Sequence, residues 1–212
     1  MCTLVDVPVL TSFIKVAKSR RSVKGQFSRR IVSKRLLEHV LEAATWAPSA
    51  HNSQPWSFIV IRDKPAKRRL AENMAEAWRR DFEKDKTSST ETERRIAGSI
   101  ARISNAPVLL VACLTTELIQ KYVDEKRKKC EYVIAVQSVA AAIQNLLLAA
   151  HESRLGSCWM CAPLFCPETV RETLGIPDHV DPQALLTLGY FKGRIPPPPR
   201  KPTSETIHVD CW

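Results

Sequence analysis

Residues 132–153 constrain this chain more than any other segment. The stretch is apolar almost all round, interrupted by Gln137, Gln144 and Asn145, and a helix apolar on nearly every side is one that is buried on most of its faces. It is therefore a candidate for the central core or for a dimer interface. The 212 residues around it are 44% hydrophobic, and a chain of that size hides roughly 70% of its extended surface on folding. A disordered protein is excluded, and residues 1–212 are expected to form a single domain without disulfide or metal support. The longest uninterrupted apolar run, residues 108–114, is far short of the ~20 residues that cross a bilayer, and no signal-peptide core opens the chain. A soluble, cytoplasmic protein is expected. The cysteine count, 7, is odd and the cysteines are scattered, which points to reduced thiols.

Periodicity supplies the remaining elements. A first helix is expected over residues 7–18, ending in a basic turn with Gly25 as its stop. Ser33 is an N-cap candidate for a second, with Leu36, Leu37, Val40, Leu41 and Ala44 at helical spacing before Pro48. A polar loop over 49–55 leads into an alternating strand at 56–61. Residues 64–82 read as an exposed helix and 83–93 as a mobile surface excursion. A helix ending near Ile103 precedes a buried strand at 108–114 and a charged surface stretch at 121–131. Gly156 would cap the long apolar helix, ahead of a strand at 157–161, a short helix after Pro167 and a last strand at 184–190. Five of the 14 prolines fall between Pro196 and Pro202, so the tail, from about residue 194, is expected to be an extended polyproline arm that lies on another surface.

Charge is concentrated as strongly as apolarity. The formal net charge is +10, and residues 15–35 carry Lys15, Lys18, Arg20, Arg21, Lys24, Arg29, Arg30, Lys34 and Arg35 with no acidic residue among them. Such a cluster suits nucleic acid, one small phosphorylated ligand, or simply a solvated face. Only Phe13 and Phe27 stand near it to stack on bases, which makes nucleic acid the weaker reading.

Three segments carry the chemistry. They are Arg20-Arg21-Ser22-Val23-Lys24, the loop Ala47-Pro48-Ser49-Ala50-His51-Asn52-Ser53-Gln54-Pro55-Trp56, and Arg200-Lys201-Pro202. Guanidinium forks at Arg20, Arg21 and Arg200 match phosphate oxygens, and Ser22 adds a hydroxyl. Asn52 and Gln54 offer donors and acceptors to a planar heterocycle with amide-like edges.

In this order and spacing the segments resemble the flavin-dependent nitroreductase family, and the likeness extends along the whole chain. It takes in the helix over 137–150, Leu155-Gly156-Ser157-Cys158-Trp159, Leu188-Gly189-Tyr190, and Glu205 after the tail motif. Within the family, the Gly-Ser-Cys-Trp strand and Phe165-Cys166-Pro167-Glu168 look closest to the flavin domain of deazaflavin-ligase fusions and to cobalamin lower-ligand synthases. The resemblance implies an α+β fold with a central, mostly antiparallel sheet flanked by helices, in an intertwined homodimer that exchanges its C-terminal arms and holds FMN at the interface. Arg20, Arg21 and Ser22 would hold the phosphate and ribityl end, and Arg200 would close on the phosphate. Lys24 would approach the pyrimidine edge. Pro48, Ser49, Ala50 and Asn52 would come from the partner subunit with Gln54 behind them, and backbone groups of Met160, Cys161 and Ala162 would meet flavin N5. The best-known members present Pro-Ile-Glu-Gly where this chain reads Trp159-Met160-Cys161-Ala162.

No G-x-G-x-x-G is present, so NAD(P)H would stack directly on the flavin. The implied activity is FMN-dependent reduction of an electron-poor acceptor, a nitro compound or quinone, with the flavin carrying the chemistry and no catalytic side chain required. The alternatives are a flavoprotein of the same fold with a dedicated deazaflavin, oxygen-activating or dehalogenating substrate, and a non-enzymatic basic dimer on nucleic acid. Neither nucleic acid nor membrane is the expected partner. Cys158, Cys161 and Cys166 have the look of metal ligands, but odd spacing in a strand turns Cys158 and Cys161 to opposite faces, so no metal is expected. His51 and His151 are expected to be structural or exposed, and Trp46, Trp56 and Trp159 to be core residues.

Overall fold

The structure, a computed structural model, describes residues 8–87 and 89–212. In chain order the elements are α1 (Pro8–Ser19), α2 (Lys34–Thr45), β1 (Trp56–Ile61), α3 (Lys64–Lys84), α4 (Thr90–Ser104), β2 (Val108–Thr115), α5 (Glu125–Glu152), β3 (Gly156–Met160), α6 (Pro167–Leu174) and β4 (Val180–Gly189). The strands form one sheet in the order β1-β2-β4-β3, antiparallel at every step. This is the α+β architecture expected, with helices on both faces.

The two central strands explain why residues 108–114 read as a continuous apolar run. Val108, Leu110, Ala112 and Leu114 face α2 and α5, where Ala142, Ile143 and Leu146 meet them. Leu109, Val111 and Cys113 face the other way, against Leu70 and Met74 of α3, Ile103 of α4 and Val170 of α6. A strand covered on both faces has no polar alternation left to show. Helix starts are fixed by side chains that accept from the first turn: Ser33 from Leu36, Asp63 from Ala66, Ser89 from Thr92 and Asp124 from Arg127. α5 is long and apolar enough to cross a membrane by length and composition alone, with a window of mean hydropathy 1.8. Half of that window is buried within the chain, where it supplies the core of one sheet face.

Several boundaries differ from the sequence reading. The excursion expected over 83–93 is mostly helix: α3 continues to Lys84 and α4 begins at Thr90. The polar composition there is the outer face of a helical hairpin, tied across by Arg79 to Glu93 at 3.1 Å. α1 ends at Ser19, well before Gly25, because residues 20–24 leave to pair with β3. The charged stretch 121–131 is largely the exposed first turns of α5, which begins at Glu125; Glu131 within it is buried and accepts from the Gln120 amide. Gly156 caps nothing. α5 closes at Ser153 and Arg154 takes the left-handed turn at φ 60°, while Gly156 opens β3. β4 starts at Val180, four residues before the expected strand. Trp46 is 81% exposed and is not a core residue, since it stands just past the end of α2. Trp56 and Trp159 do pack against the core.

Candidate functional site

The basic segment and the tail meet at the β3 edge of the sheet. Beyond Ser19 the chain extends, Ser22 bridges Ser157 in parallel, and the Val23 amide donates to the Ser157 carbonyl at 2.8 Å. After β4 the chain returns beside the same segment, with Phe27 bridging Phe191 and the Ser28 amide donating to the Tyr190 carbonyl at 2.7 Å. Gly156 makes this closure possible. A Cβ there would lie 2.7 Å from both Phe191 Cδ1 and Val23 Cγ2, closer than carbon atoms approach.

Arg20 and Arg200 are brought together although 180 positions separate them in the chain. Half-burial lowers the affinity of the Arg20 guanidinium for its proton, and the charges of Arg200 and then Arg21 lower it further, against a small opposing effect of Cys158. No carboxylate acts on Arg20. Converging cations without an acid form a place that an anion would stabilise. Arg21 is engaged differently. Its Nη1 donates to the carbonyls of Lys18 and Arg20 at 2.6 and 2.7 Å, closing the C-terminal end of α1, and its Nε is buried without a partner.

A second group of cations surrounds Cys158. Burial raises this thiol's pKa, and Arg102, Lys24 and Arg20 oppose the rise, so all three stand within electrostatic reach of β3. Lys24 is exposed. Arg102 comes from the last turn of α4, and its Nε is buried with no hydrogen-bond partner. Sequence reasoning missed Arg102, because within an amphipathic helix nothing local marks it and only the sheet brings α4 to the basic segment. Met160, Cys161 and Ala162 line a cleft of about 690 Å³ together with Met74, Trp78 and Arg102. The cleft thus combines apolar walls with one cation whose donors are not consumed by the fold.

The loop over 48–54 stands elsewhere. It precedes β1, at the opposite edge of the sheet from Ser22, and four strand spacings of about 4.8 Å put it on the order of 19 Å away in that direction. The register adds a second displacement. Trp56 pairs with Leu114 near the Asp181 end of β4, whereas Ser157 pairs with Leu188 at the other end. The two segments therefore occupy diagonally opposite corners of one chain. His51, Asn52 and Gln54 have φ of 54, 52 and 46°, a left-handed conformation that non-glycine residues adopt at a cost of about 1–3 kcal/mol each. The loop is held by the Gln54 amide donating to Ser49 Oγ at 3.0 Å, and by the Thr115 amide donating to the Pro55 carbonyl at 2.7 Å. Asn52 and Gln54 remain exposed, one accepting from the other at 3.4 Å.

Of the remaining candidates, His51 is exposed, and His151 Nε2 lies 2.7 Å from Ser19 Oγ. Cys158 is buried, Cys161 exposed and Cys166 intermediate, and burial pushes the Cys166 thiol up to about 11. Among the described residues no three His, Cys, Asp or Glu side chains stand close enough to hold a metal ion.

Comparison with known proteins agrees with this geometry. The family model described as the nitroreductase family matches residues 17–190. An NADH dehydrogenase of Thermus thermophilus is 30% identical over 225 residues, covering 95% of this chain and 97% of that protein. Among solved structures, a nitroreductase-like family protein from Bacillus cereus superimposes with a TM-score of 0.70 at 23% identity, over 99% of this chain and 98% of that one. The NADPH:FMN oxidoreductase of Vibrio harveyi, solved with NAD+, gives 0.71 at 19% identity, over 94% of this chain and 77% of that one.

Proposed function

The chain belongs to the nitroreductase family and is an oxidoreductase, and from that premise we propose that it binds FMN and uses NAD(P)H to reduce an electron-poor small molecule such as a nitro compound or quinone. The observation that carries the reading is the convergence of Arg200 on Arg20 with no carboxylate acting there. Two guanidinium groups held together by the fold are a cost in the free chain, and a phosphate removes it. The residues fit the cofactor at a second place too, since the buried Arg102 Nε lacks a partner beside the cleft at Met160, Cys161 and Ala162.

In this reading FMN, when bound, relays two electrons from NAD(P)H to the acceptor. Arg20, Ser22 and Arg200 hold its phosphate. Arg21 contributes by fixing the end of α1 from which Arg20 projects. Lys24 and Arg102 place positive charge near the pyrimidine edge, where added electron density is stabilised. Backbone groups of Met160, Cys161 and Ala162 border the reacting edge, and the cleft beside them admits the acceptor.

A homodimer completes the site. Pro48, Ser49, Ala50, Asn52 and Gln54 cannot reach the basic segment of their own chain from the opposite corner of the sheet, but a second copy can present them. The surface supports association. A compact monomer of 23.9 kDa exposes about 9,900 Å², whereas this chain exposes 14238 Å². Tyr132, Val133 and Ile134 on α5, and Ile207, Val209 and Trp212 in the tail, are among its exposed large apolar residues. The chain is then one domain whose residues from about 194 onward form an arm across the partner.

The test is direct. Purified protein is expected to be yellow and to release FMN, not FAD, on denaturation, as chromatography of the chromophore will read. Protein that stays colourless after reconstitution with excess FMN would falsify the proposal.

A further inference from the structure

A second cationic pocket lies beside the phosphate corner. A cavity of about 580 Å³ opens between the end of α1, the end of α5 and the first residues of the tail. Its polar lining is Lys15, Lys18, Ser19, Arg21, His151 and Arg194, and no acidic residue lines it. Leu155, Phe191 and Ile195 supply an apolar wall. Arg21 and Val23 border it while Arg20, Ser22 and Lys24, at the alternate positions, do not. The extended segment thus separates two basic surfaces.

Three observations mark the pocket as more than a solvated basic face. Arg21 reaches it with a buried Nε that has no acceptor. Neither Lys15, Lys18 nor Arg194 forms an ion pair with a carboxylate among the described residues. Burial, followed by the charges of Arg20 and Arg21, holds the His151 imidazole below its ordinary pKa, which shows that the fold gathers positive charge around that ring without neutralising it.

We propose that this pocket binds a phosphate monoester distinct from the one held by Arg20 and Arg200, with the ring of the same ligand lying on Leu155, Phe191 and Ile195. Two sources of that chemistry fit: the 2′-phosphate of an NADPH-type donor, in which case the pocket deepens the reading above and selects NADPH over NADH, or a free 5′-nucleotide. A dianionic phosphate matches four cations far better than a ribose hydroxyl does, because each charge-assisted hydrogen bond is about twice as strong as a neutral one.

The experiment is isothermal titration of the FMN-loaded protein with adenosine 2′,5′-bisphosphate and with 5′-AMP, repeated on Lys18→Glu and Arg194→Ala, with flavin content read separately by absorbance. The pocket requires that at least one of the two nucleotides bind, and that each substitution weaken it tenfold or more while the flavin content stays that of the parent. Tighter binding of the 2′,5′-bisphosphate, with KM for NADPH raised in the variants and KM for NADH unchanged, assigns the donor. Tighter binding of 5′-AMP, with both KM values unchanged, assigns a free nucleotide. Binding of neither compound, binding that displaces FMN, or equal affinity in parent and variants overturns the pocket. Failure of the flavin reading is distinguishable, since a colourless protein can still be titrated with both nucleotides.

Discussion

Replacing Arg200 by alanine is expected to move cofactor binding and apo-protein stability in opposite directions. Arg200 acts on Arg20 as one positive charge on another, and no carboxylate intervenes. Without ligand the substitution removes a repulsion and should leave the melting temperature unchanged or raised. With FMN it removes a charge-assisted hydrogen bond, for which about 1.5–3 kcal/mol is typical, so affinity should fall by roughly ten- to a hundredfold. The same loss is readable as stabilisation. FMN at a hundred times the parent's Kd stabilises the parent by about 2.7 kcal/mol, and a hundredfold weaker variant at that concentration by only about 0.4 kcal/mol. Flavin fluorescence on titrating the apo-protein gives the affinity, and thermal melts with and without FMN give the rest. Arg200→Lys should fall between, because it keeps the charge and loses the fork. Affinity within twofold of the parent, or an apo-protein that melts lower, would show that Arg200 is packing and not a phosphate ligand.

Gly156→Ala should destabilise the protein by about 1–3 kcal/mol, the usual cost of overpacking, because the new Cβ meets Phe191 and Val23 at 2.7 Å; a denaturant midpoint equal to the parent's would refute the contact. His151 titrates below its ordinary 6.5 because of burial and then Arg20 and Arg21. The unfolded chain therefore takes up this proton first as pH falls, so stability should rise with pH through the window below 6.5 and level off above it. His151→Gln should flatten that part of the profile, as urea melts at stepped pH will show. In the native protein, alkylation followed by mass mapping should mark Cys130, Cys161 and Cys211, which are exposed, and spare Cys113, whose thiol burial pushes up to about 12. Modification of Cys113 before unfolding would contradict its placement in the sheet core.

What the sequence disclosed, and what it hid, follows from the range of the forces involved. β1 was legible residue for residue, since Pro55 fixes its start and alternation its extent, and α2 was legible from Ser33 and its apolar spacing. Both signals are local. The helical hairpin of α3 and α4 was obscured because its outer face is polar, and a polar face on a packed helix has the composition of a loop. Gly156 was read through the commonest use of glycine after a helix, whereas its reason is a close approach by Phe191, 35 positions away. Arg102 and the partnering of Arg20 with Arg200 depend on strand order, which no window of sequence contains. The resemblance named the pieces of the candidate site, and the sheet shows how far apart two of them lie in one chain.

The diagonal placement of the 20–24 segment and the 48–54 loop makes cofactor retention a matter of mass action. In the proposed dimer each chain lends one corner to each of two sites, so a twofold pairing closes both at once and dissociation opens both. Half of the cradle then leaves with the departing subunit. Flavin occupancy should follow protein concentration as well as flavin concentration, and dilution alone should bleach the protein. Each subunit's strained loop serves a neighbour's chemistry, and a substitution at Asn52 in one chain would be felt at the Lys24 of the other.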